Sequence, residues 1–445
     1  MTPAYKQYFK NKKITVMGLG LLGRGLGVVK FLSKLGADLI VTDLKDETAL
    51  KPTLDQLKNC RNIKYILGQH RFEDFKNKDL IIKAAGVPLD SIYIEEARKN
   101  KIPIEMDASL FAKFSKAVII GVTGTRGKST TASLIYEILK KGGKKVYLGG
   151  NIKGTTTLPL LKKVQPGDYV VLELDSWQLQ GFGDSKISPH ISVFTNLMPD
   201  HLNYYGGSMK KYFNDKANIF CHQTRKDYLI LGNSARQAIK KFYKKPIRSR
   251  VILSSEKDIP KNWTVGLAGS HNLENISYAV AVSTLLGIPK ERVRRSVARF
   301  KALPGRLEFV KKYKGIKIYN DTNSTTPEAT LAGLKTLSQN KNIVLVMGGS
   351  DKKLGMESLT ESLPKYCKAV VLLPGTGTEK IKNNISALKN LKIVYAVNLK
   401  NAISKAIKLS SDGDVILFSP AFASFGMFKN EYDRGDKFLE IIKNL

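Results

Sequence analysis

Short apolar runs alternate with segments of helical spacing along almost the whole chain. Residues 14–17 form a compact, β-branched run that predicts a strand. Residues 25–35 repeat apolar side chains at helical intervals and stop at Gly36, and 39–42 and 80–83 predict two further strands. Strands interleaved with helices in this way imply a parallel sheet. The pattern restarts at 117–122, a strand followed by a helix over 129–141 that ends at Gly142-Gly143. Two buried strands follow at 169–174 and 191–195, with the polar residues Glu173 and Asn196 at or near their ends. It restarts again near Pro304-Gly305, with strands at 316–319, 343–347, 369–373, 393–396 and 415–418 separated by helices. No internal repeat or low-complexity linker interrupts these three blocks.

The bulk composition narrows the class. A chain of 445 residues with 42% hydrophobic residues has ample material for several packed cores. No apolar run reaches the ~18 residues of a membrane span, and the polar start lacks a signal-peptide core. Cys60, Cys221 and Cys367 stand apart without a CxxC pair, which argues against zinc fingers and disulfide frameworks and fits a reducing cytoplasm. The net charge of +35 comes from 73 basic and 38 acidic residues. The lysines are scattered rather than gathered in a tail or interleaved with aromatics, so they favour attraction of small anionic substrates over nucleic-acid binding.

Two glycine-rich loops lie at the ends of strands. Gly18-Leu19-Gly20-Leu21-Leu22-Gly23 joins the first strand to the first helix, and Asp43 ends the next strand about 20 residues on. Glycines there permit a tight turn and close backbone approach. The helix amino end favours a diphosphate, and the acid can accept ribose hydroxyls. The pattern suits NAD and a UDP-sugar equally. The second loop, Thr123-Gly124-Thr125-Arg126-Gly127-Lys128-Ser129-Thr130, is a phosphate loop with Val122 where the usual first glycine stands. Its amides can cradle phosphates, Lys128 can reach the terminal ones, and Ser129 or Thr130 can offer a hydroxyl to Mg²⁺. Two phosphate-bearing ligands on one chain suggest an enzyme that spends ATP on a phosphorylated substrate.

Three further residues attract attention. Glu173 sits at a strand end among apolar neighbours, where a charge needs a partner and a metal would supply one. His201 follows a buried strand in Asn196-Leu197-Met198-Pro199-Asp200-His201, close in sequence logic to the phosphate loop. Lys216 lies on the helix beyond and by spacing alone reads as a solvated lysine.

Taken together, Gly124–Thr130, Gly149-Gly150-Asn151-Ile152, Glu173-Leu174-Asp175-Ser176, Asp200-His201, Gly269-Ser270-His271-Asn272-Leu273-Glu274-Asn275 and Pro304-Gly305-Arg306-Leu307-Glu308 resemble the Mur ligase family. These are ATP-dependent amide-forming enzymes of peptidoglycan synthesis. The resemblance runs from about residue 12 to the end. Within the family, the GLGLLG loop and Ser419-Pro420-Ala421-Phe422-Ala423-Ser424-Phe425 look most like the member that adds D-glutamate to UDP-N-acetylmuramoyl-L-alanine.

The resemblance implies an α/β protein of three domains. Residues 1–114 would form a Rossmann-like domain for the uridine substrate, 115–302 a central phosphate-loop ATPase domain with a mostly parallel sheet, and 303–445 a doubly wound amino-acid domain. Gly18, Gly20, Leu21, Leu22, Gly23, Asp43, Lys45, Ala85 and Gly86 would surround the uridine diphosphate. Lys128 and the loop residues Gly124, Thr125, Arg126 and Gly127 would hold the ATP phosphates. Ser129 or Thr130 with Glu173 would bind one Mg²⁺, and His201 a second. Lys216 matches the lysine carbamylated in the family, and Asn151 would face an acyl phosphate. Asn272 and Asn275 would contact the adenine side, while Arg306 and Asp321 would contact phosphate and ribose. Thr325, Lys352, Ser424 and Phe425 would hold glutamate. A monomer that closes its domains on ATP, in the cytoplasm, completes the expectation.

Two departures stand out. Arg126 replaces the more usual asparagine. Asn323 stands where the glutamate-adding enzyme normally has a lysine, a loss worth about 1–3 kcal/mol of carboxylate binding unless Lys352 or Lys353 compensates. That leaves D- against L-glutamate open. Folylpolyglutamate synthetase-like ligases share the central motifs but lack the first block. An NAD-linked dehydrogenase would leave the second loop unexplained.

Overall fold

The computed structural model describes residues 3–21, 23–88, 90–152, 154–388 and 390–445. They form two compact units: Met1–Asn262 with Glu274–Ser296, and Trp263–Leu273 with Val297–Leu445. The fold is α/β in three domains, each built on one sheet; the first unit carries two of the sheets and the second unit one.

The first sheet comprises β1 (Lys13–Met17), β2 (Asp38–Asp43), β3 (Ile63–Leu67), β4 (Leu80–Lys83) and β5 (Ile104–Glu105). Its order is β3-β2-β1-β4-β5 and every pair is parallel. Ile14, Val16, Leu39 and Val41 are buried because helices cover the sheet, the helix Arg24–Lys34 contributing Val28, Val29, Phe31 and Leu32. The strand order reverses at β1, so the loops after β1 and β4 flank a crevice, the usual place for a ligand in such sheets.

The second sheet comprises β6 (Val118–Thr123), β7 (Val146–Gly150), β8 (Tyr169–Glu173), β9 (Ile191–Phe194), β10 (Tyr228–Leu231) and β11 (Arg250–Leu253). Its order is β11-β10-β9-β6-β8-β7, again with every pair parallel. The central strand β6 feeds the phosphate loop, and β8 and β9 flank it. All four carboxyl ends of β6, β7, β8 and β9 therefore open on one edge.

The second unit holds β12 (Glu308–Tyr313), β13 (Ile316–Asn320), β14 (Ile343–Gly348), β15 (Cys367–Leu373), β16 (Lys392–Tyr395) and β17 (Val415–Phe418), ordered β12-β13-β17-β14-β15-β16. Only β12 pairs antiparallel, with β13. Alternate residues of β14 and β15 split between two cores. Leu345, Met347, Val370 and Leu372 pack with Leu359, Leu363 and Ile381, whereas Val344, Val346, Val371 and Leu373 pack with Ala402, Ile403 and Phe438. That is the doubly wound arrangement.

The strands expected from apolar runs are present. Six others, β3, β5, β7, β10, β11 and β12, carry no expectation from sequence. Most are edge or next-to-edge strands with mixed burial, such as β11 with its mostly exposed Arg250–Leu253.

Candidate active site

The phosphate loop is held in shape by the segment after β9. The Thr125 amide donates to the Asn196 carbonyl at 2.9 Å, and the Arg126 amide to Asn196 Oδ1 at 2.8 Å. Thr195 Oγ1 donates to the Arg126 carbonyl at 2.7 Å, and Thr125 Oγ1 sits 3.3 Å from the Tyr212 hydroxyl. Two glycines are sterically required. A Cβ on Gly124 would lie 1.9 Å from Thr195 Oγ1, and one on Gly127 2.1 Å from Asn275 Oδ1; both residues have positive φ. Gly127 is the N-cap of the helix Lys128–Lys141, so a helix amino end points at the loop as a phosphate site needs. Asn275 also accepts from Thr131 Oγ1 at 3.3 Å, which fixes it against this helix.

Lys128 Nζ curls back to the carbonyls of Gly124 (3.1 Å) and Thr125 (3.2 Å). Lys216 Nζ donates to the same Gly124 carbonyl at 2.8 Å and lies 4.8 Å over the Tyr212 ring. The sequence alone reads Lys216 as a solvated lysine. It is instead 1% exposed, because it faces the loop from the buried side of the helix Met209–Ala217. Burial first, then repulsion from Lys128, holds its pKa well below the ordinary lysine value, against the pull of Asp175 and Asp200.

Glu173 ends β8 and is 3% exposed. Its carbonyl accepts the Asn151 amide at 2.8 Å, and a Cβ on Gly150 would lie 2.0 Å from that carbonyl oxygen, so Asn151 is drawn tight beside Glu173. His201 has φ +54° and lies with Nε2 3.6 Å from Asp200 Oδ2, its ring 4.9 Å from that of Trp177. Asp200 is buried and pairs with Arg126 at 2.8 Å. Arg126 therefore ties the phosphate loop to the His201 loop.

Among the described residues no group of three or more His, Cys, Asp or Glu could cage a metal. The donor set still suits Mg²⁺, which takes one or two carboxylates plus substrate phosphates rather than an all-protein cage. Glu173 supplies a buried carboxylate, and Ser129 and Thr130 supply hydroxyls in the first turn of the helix after the phosphate loop.

In the first domain, Gly18, Gly20 and Gly23 all have positive φ. A Cβ on Gly18 would meet Ala84 Cβ at 2.8 Å. Asp43 is buried and uses both oxygens on backbone, accepting from the amides of Gly20 and Lys45 at 2.9 Å each. It braces the loop. Leu21, Lys45 and Gly86 are exposed and Ala85 half-buried along the same edge. Leu22 lies outside the described residues.

In the second unit, Lys352 Nζ donates to Thr325 Oγ1 at 3.1 Å. The Ala421 amide donates to the Ser324 carbonyl at 2.9 Å, and Ser350 and Ala423 form an isolated antiparallel bridge. These bonds gather the loops after β13, β14 and β17, placing Thr325, Lys352, buried Ser424 and exposed Phe425 on one edge. Asn323 Nδ2 donates to the Pro304 carbonyl at 3.3 Å. Asp321 accepts from the Leu307 amide (2.9 Å) and Ser419 Oγ (2.8 Å), and burial pushes its pKa up to about 6. Asn272 and Arg306 also belong to this unit, Asn272 donating to the Ala268 carbonyl at 2.7 Å and the Arg306 amide to Leu303 at 3.0 Å.

Sequence reasoning missed a polar chain in the first unit. Lys83 ends β4, is buried, and reaches Gln180 Oε1 at 3.4 Å; burial lowers its pKa to about 8. Gln180 donates to Asp215 Oδ2 at 2.7 Å, which also accepts from Tyr205 at 3.0 Å. Asp215 directly precedes Lys216. A lysine closing an otherwise apolar strand was the available signal.

Comparison with known proteins agrees with this geometry. Residues 12–105 match the Mur ligase MurD-like N-terminal domain, 122–264 the Mur ligase middle domain, and 305–422 the Mur ligase glutamate ligase domain. A UDP-N-acetylmuramoylalanine–D-glutamate ligase of Borreliella burgdorferi is 38% identical over 98% of both chains. One from Roseiflexus sp. is 33% identical over 97% of this chain and 98% of its own. The crystal structure of UDP-N-acetylmuramate–alanine ligase MurC from Thermotoga maritima superposes with a TM-score of 0.64 at 20% identity, covering 97% of this chain and 99% of that one. The chain belongs to the Mur ligase family and is an ATP-dependent, amide-bond-forming ligase.

Proposed function

We propose that the chain adds D-glutamate to UDP-N-acetylmuramoyl-L-alanine, as its full-length relatives are named for doing, as a cytoplasmic monomer. The observation that carries the chemistry is the convergence of Lys128 and Lys216 on the Gly124 carbonyl, on the sheet edge that also carries Glu173 and Asn151. The substrate carboxylate attacks the γ-phosphorus of ATP, giving an acyl phosphate and ADP. Lys128 and the loop residues 124–127 orient the phosphates and neutralise charge as it shifts. The glutamate amine then attacks the acyl carbon, and the tetrahedral adduct collapses with loss of phosphate to leave the amide.

Burial and the nearby Lys128 hold the Lys216 pKa down, which favours the amine form that takes up CO₂ as a carbamate with release of a proton. That change puts an anion in place of the amine beside the phosphate loop. Ser129 or Thr130 with Glu173, and His201 with the carbamate, would hold two Mg²⁺ ions, which would supply positive charge to the phosphate oxygens. Asn151 faces the acyl phosphate. Asp43 orders the uridine-side loop formed by Gly18, Gly20, Leu21 and Gly23, with Lys45, Ala85 and Gly86 beside it. Asn272, Asn275, Arg306 and Asp321 contact the nucleotide, and Thr325, Lys352, Ser424 and Phe425 hold glutamate.

The deciding experiment is phosphate release from ATP with UDP-N-acetylmuramoyl-L-alanine and D-glutamate, L-glutamate or no amino acid. Release that requires D-glutamate supports the assignment. Release only with L-glutamate, or with neither, rejects the amino-acid assignment.

A further inference from the structure

Arg434, on the helix Glu431–Lys443, is 1% exposed. All three of its hydrogen bonds end on neutral oxygens. Nε donates to Thr322 Oγ1 at 3.1 Å, Nη2 to the Thr322 carbonyl at 2.8 Å and Nη1 to the Phe422 carbonyl at 3.2 Å. Among the described residues no carboxylate forms an ion pair with it; Glu431 acts only at longer range. An enclosed guanidinium without a carboxylate is costly to keep charged, and burial draws its pKa down to about 10.

The two segments that Arg434 joins are those proposed to receive the amino acid. Thr322 leads into Asn323 and Thr325, and Phe422 leads into Ser424 and Phe425. The Ala421–Ser324 bond ties the same two segments together. Position 323 adds no charge of its own, since Asn323 is turned to the Pro304 carbonyl. Lys352 on Thr325 then supplies one cation to this cluster, and Arg434 is buried against Thr322 and Phe422 in the same two segments.

We propose that Arg434 is a positioning residue that places buried positive potential beneath the amino-acid pocket, so that an incoming dicarboxylate is preferred over a neutral amino acid although residue 323 is uncharged. The inference rests on the glutamate reading above. A charge behind the loops acts without touching substrate, because a low-dielectric interior transmits its field further than water does.

The test uses the full-length enzyme at saturating ATP and nucleotide substrate, reading the KM for D-glutamate and the inhibition constant of D-glutamine, its neutral isostere. Arg434→Gln should raise the D-glutamate KM about tenfold with the ATP KM unchanged, and should erode the preference over D-glutamine by a similar factor. Adding Asn323→Lys to that variant should restore most of the loss. Equal weakening towards both amino acids, with no rescue by Asn323→Lys, would mean a structural brace only and overturn the proposal. Should Arg434→Gln melt below the assay temperature, Arg434→Lys decides: it keeps the charge and loses the planar donors. A glutamate KM within about threefold of the parent supports the proposal, and a rise of about tenfold or more overturns it. No turnover with D-glutamate in the unmodified enzyme would overturn the glutamate reading first and this inference with it.

Discussion

Lys216 and Lys128 donate to one acceptor, the carbonyl oxygen of Gly124, at 2.8 and 3.1 Å. Two ammonium groups sharing a neutral oxygen in an enclosed site repel each other, and burial together with that repulsion holds the Lys216 pKa well below the ordinary lysine value. The neutral amine is what carbamylation requires. Enzyme equilibrated with ¹³C-bicarbonate should show a carbamate resonance that is absent from Lys216→Ala. That variant should lose at least about 10²-fold in turnover, as expected when a group organising transition-state charge is removed. A resonance unchanged by the substitution would place the carbamate elsewhere.

The Arg126–Asp200 pair couples the phosphate loop to the His201 loop. Asp200 is buried while Arg126 is about a third exposed, with side-chain accessibilities of 8% and 33%. Asp200→Asn should lower stability by about 1–2 kcal/mol and raise the ATP KM several-fold. A double-mutant cycle with Arg126→Asn should give a coupling energy of about 1 kcal/mol. Simple additivity in urea unfolding would mean that the pair contributes nothing.

Gly124→Ala introduces a methyl group 1.9 Å from Thr195 Oγ1 at a φ of +147°. Thr195 cannot yield without breaking its bond to the Arg126 carbonyl. Equilibrium binding of ATP should weaken by about 2 kcal/mol or more, the scale of strain at such backbone positions, while uridine-substrate binding stays unchanged. Calorimetry with each ligand separately checks this, and equal loss of both would point to general unfolding.

Asp321 gives a pH dependence with a definite sign. Its carboxyl is raised from 3.8 to about 6 by burial, so the fold favours the protonated form. That contribution is complete below about pH 4 and is lost as pH rises through about 6, a change of up to about 3 kcal/mol. Urea unfolding between pH 4 and 7 should therefore show a downward component in the parent that Asp321→Asn lacks. Parallel curves for the two proteins would show that Asp321 titrates normally.

Strands buried on both faces were legible because their runs are almost wholly apolar: β4, β9, β14 and β17 read directly from sequence, with Lys83 and Ser192 the polar exceptions. β12 was not, since its residues Glu308–Tyr313 include two lysines and an acid on a half-exposed edge. The phosphate loop, Glu173 and Asp43 were legible from residue type at strand ends. Lys216 was not legible from spacing, because helical periodicity does not say which face meets a loop ninety-odd positions earlier; only the family resemblance singled it out. Lys83 carried a local signal, a lysine closing an apolar strand, that went unread; Asp215 and Arg434 depend on enclosure by distant segments, which local pattern does not encode.

Asn275 fills the space that any side chain at position 127 would need. The two positions are thus not free to drift separately. A lineage could exchange Gly127 only after Asn275 had shrunk, and shrinking Asn275 first gives up its bond with Thr131. Each order passes through a weakened intermediate, so Gly127 is held in place by Asn275 on the helix Ser270–Leu285 as well as by the phosphates the loop would serve.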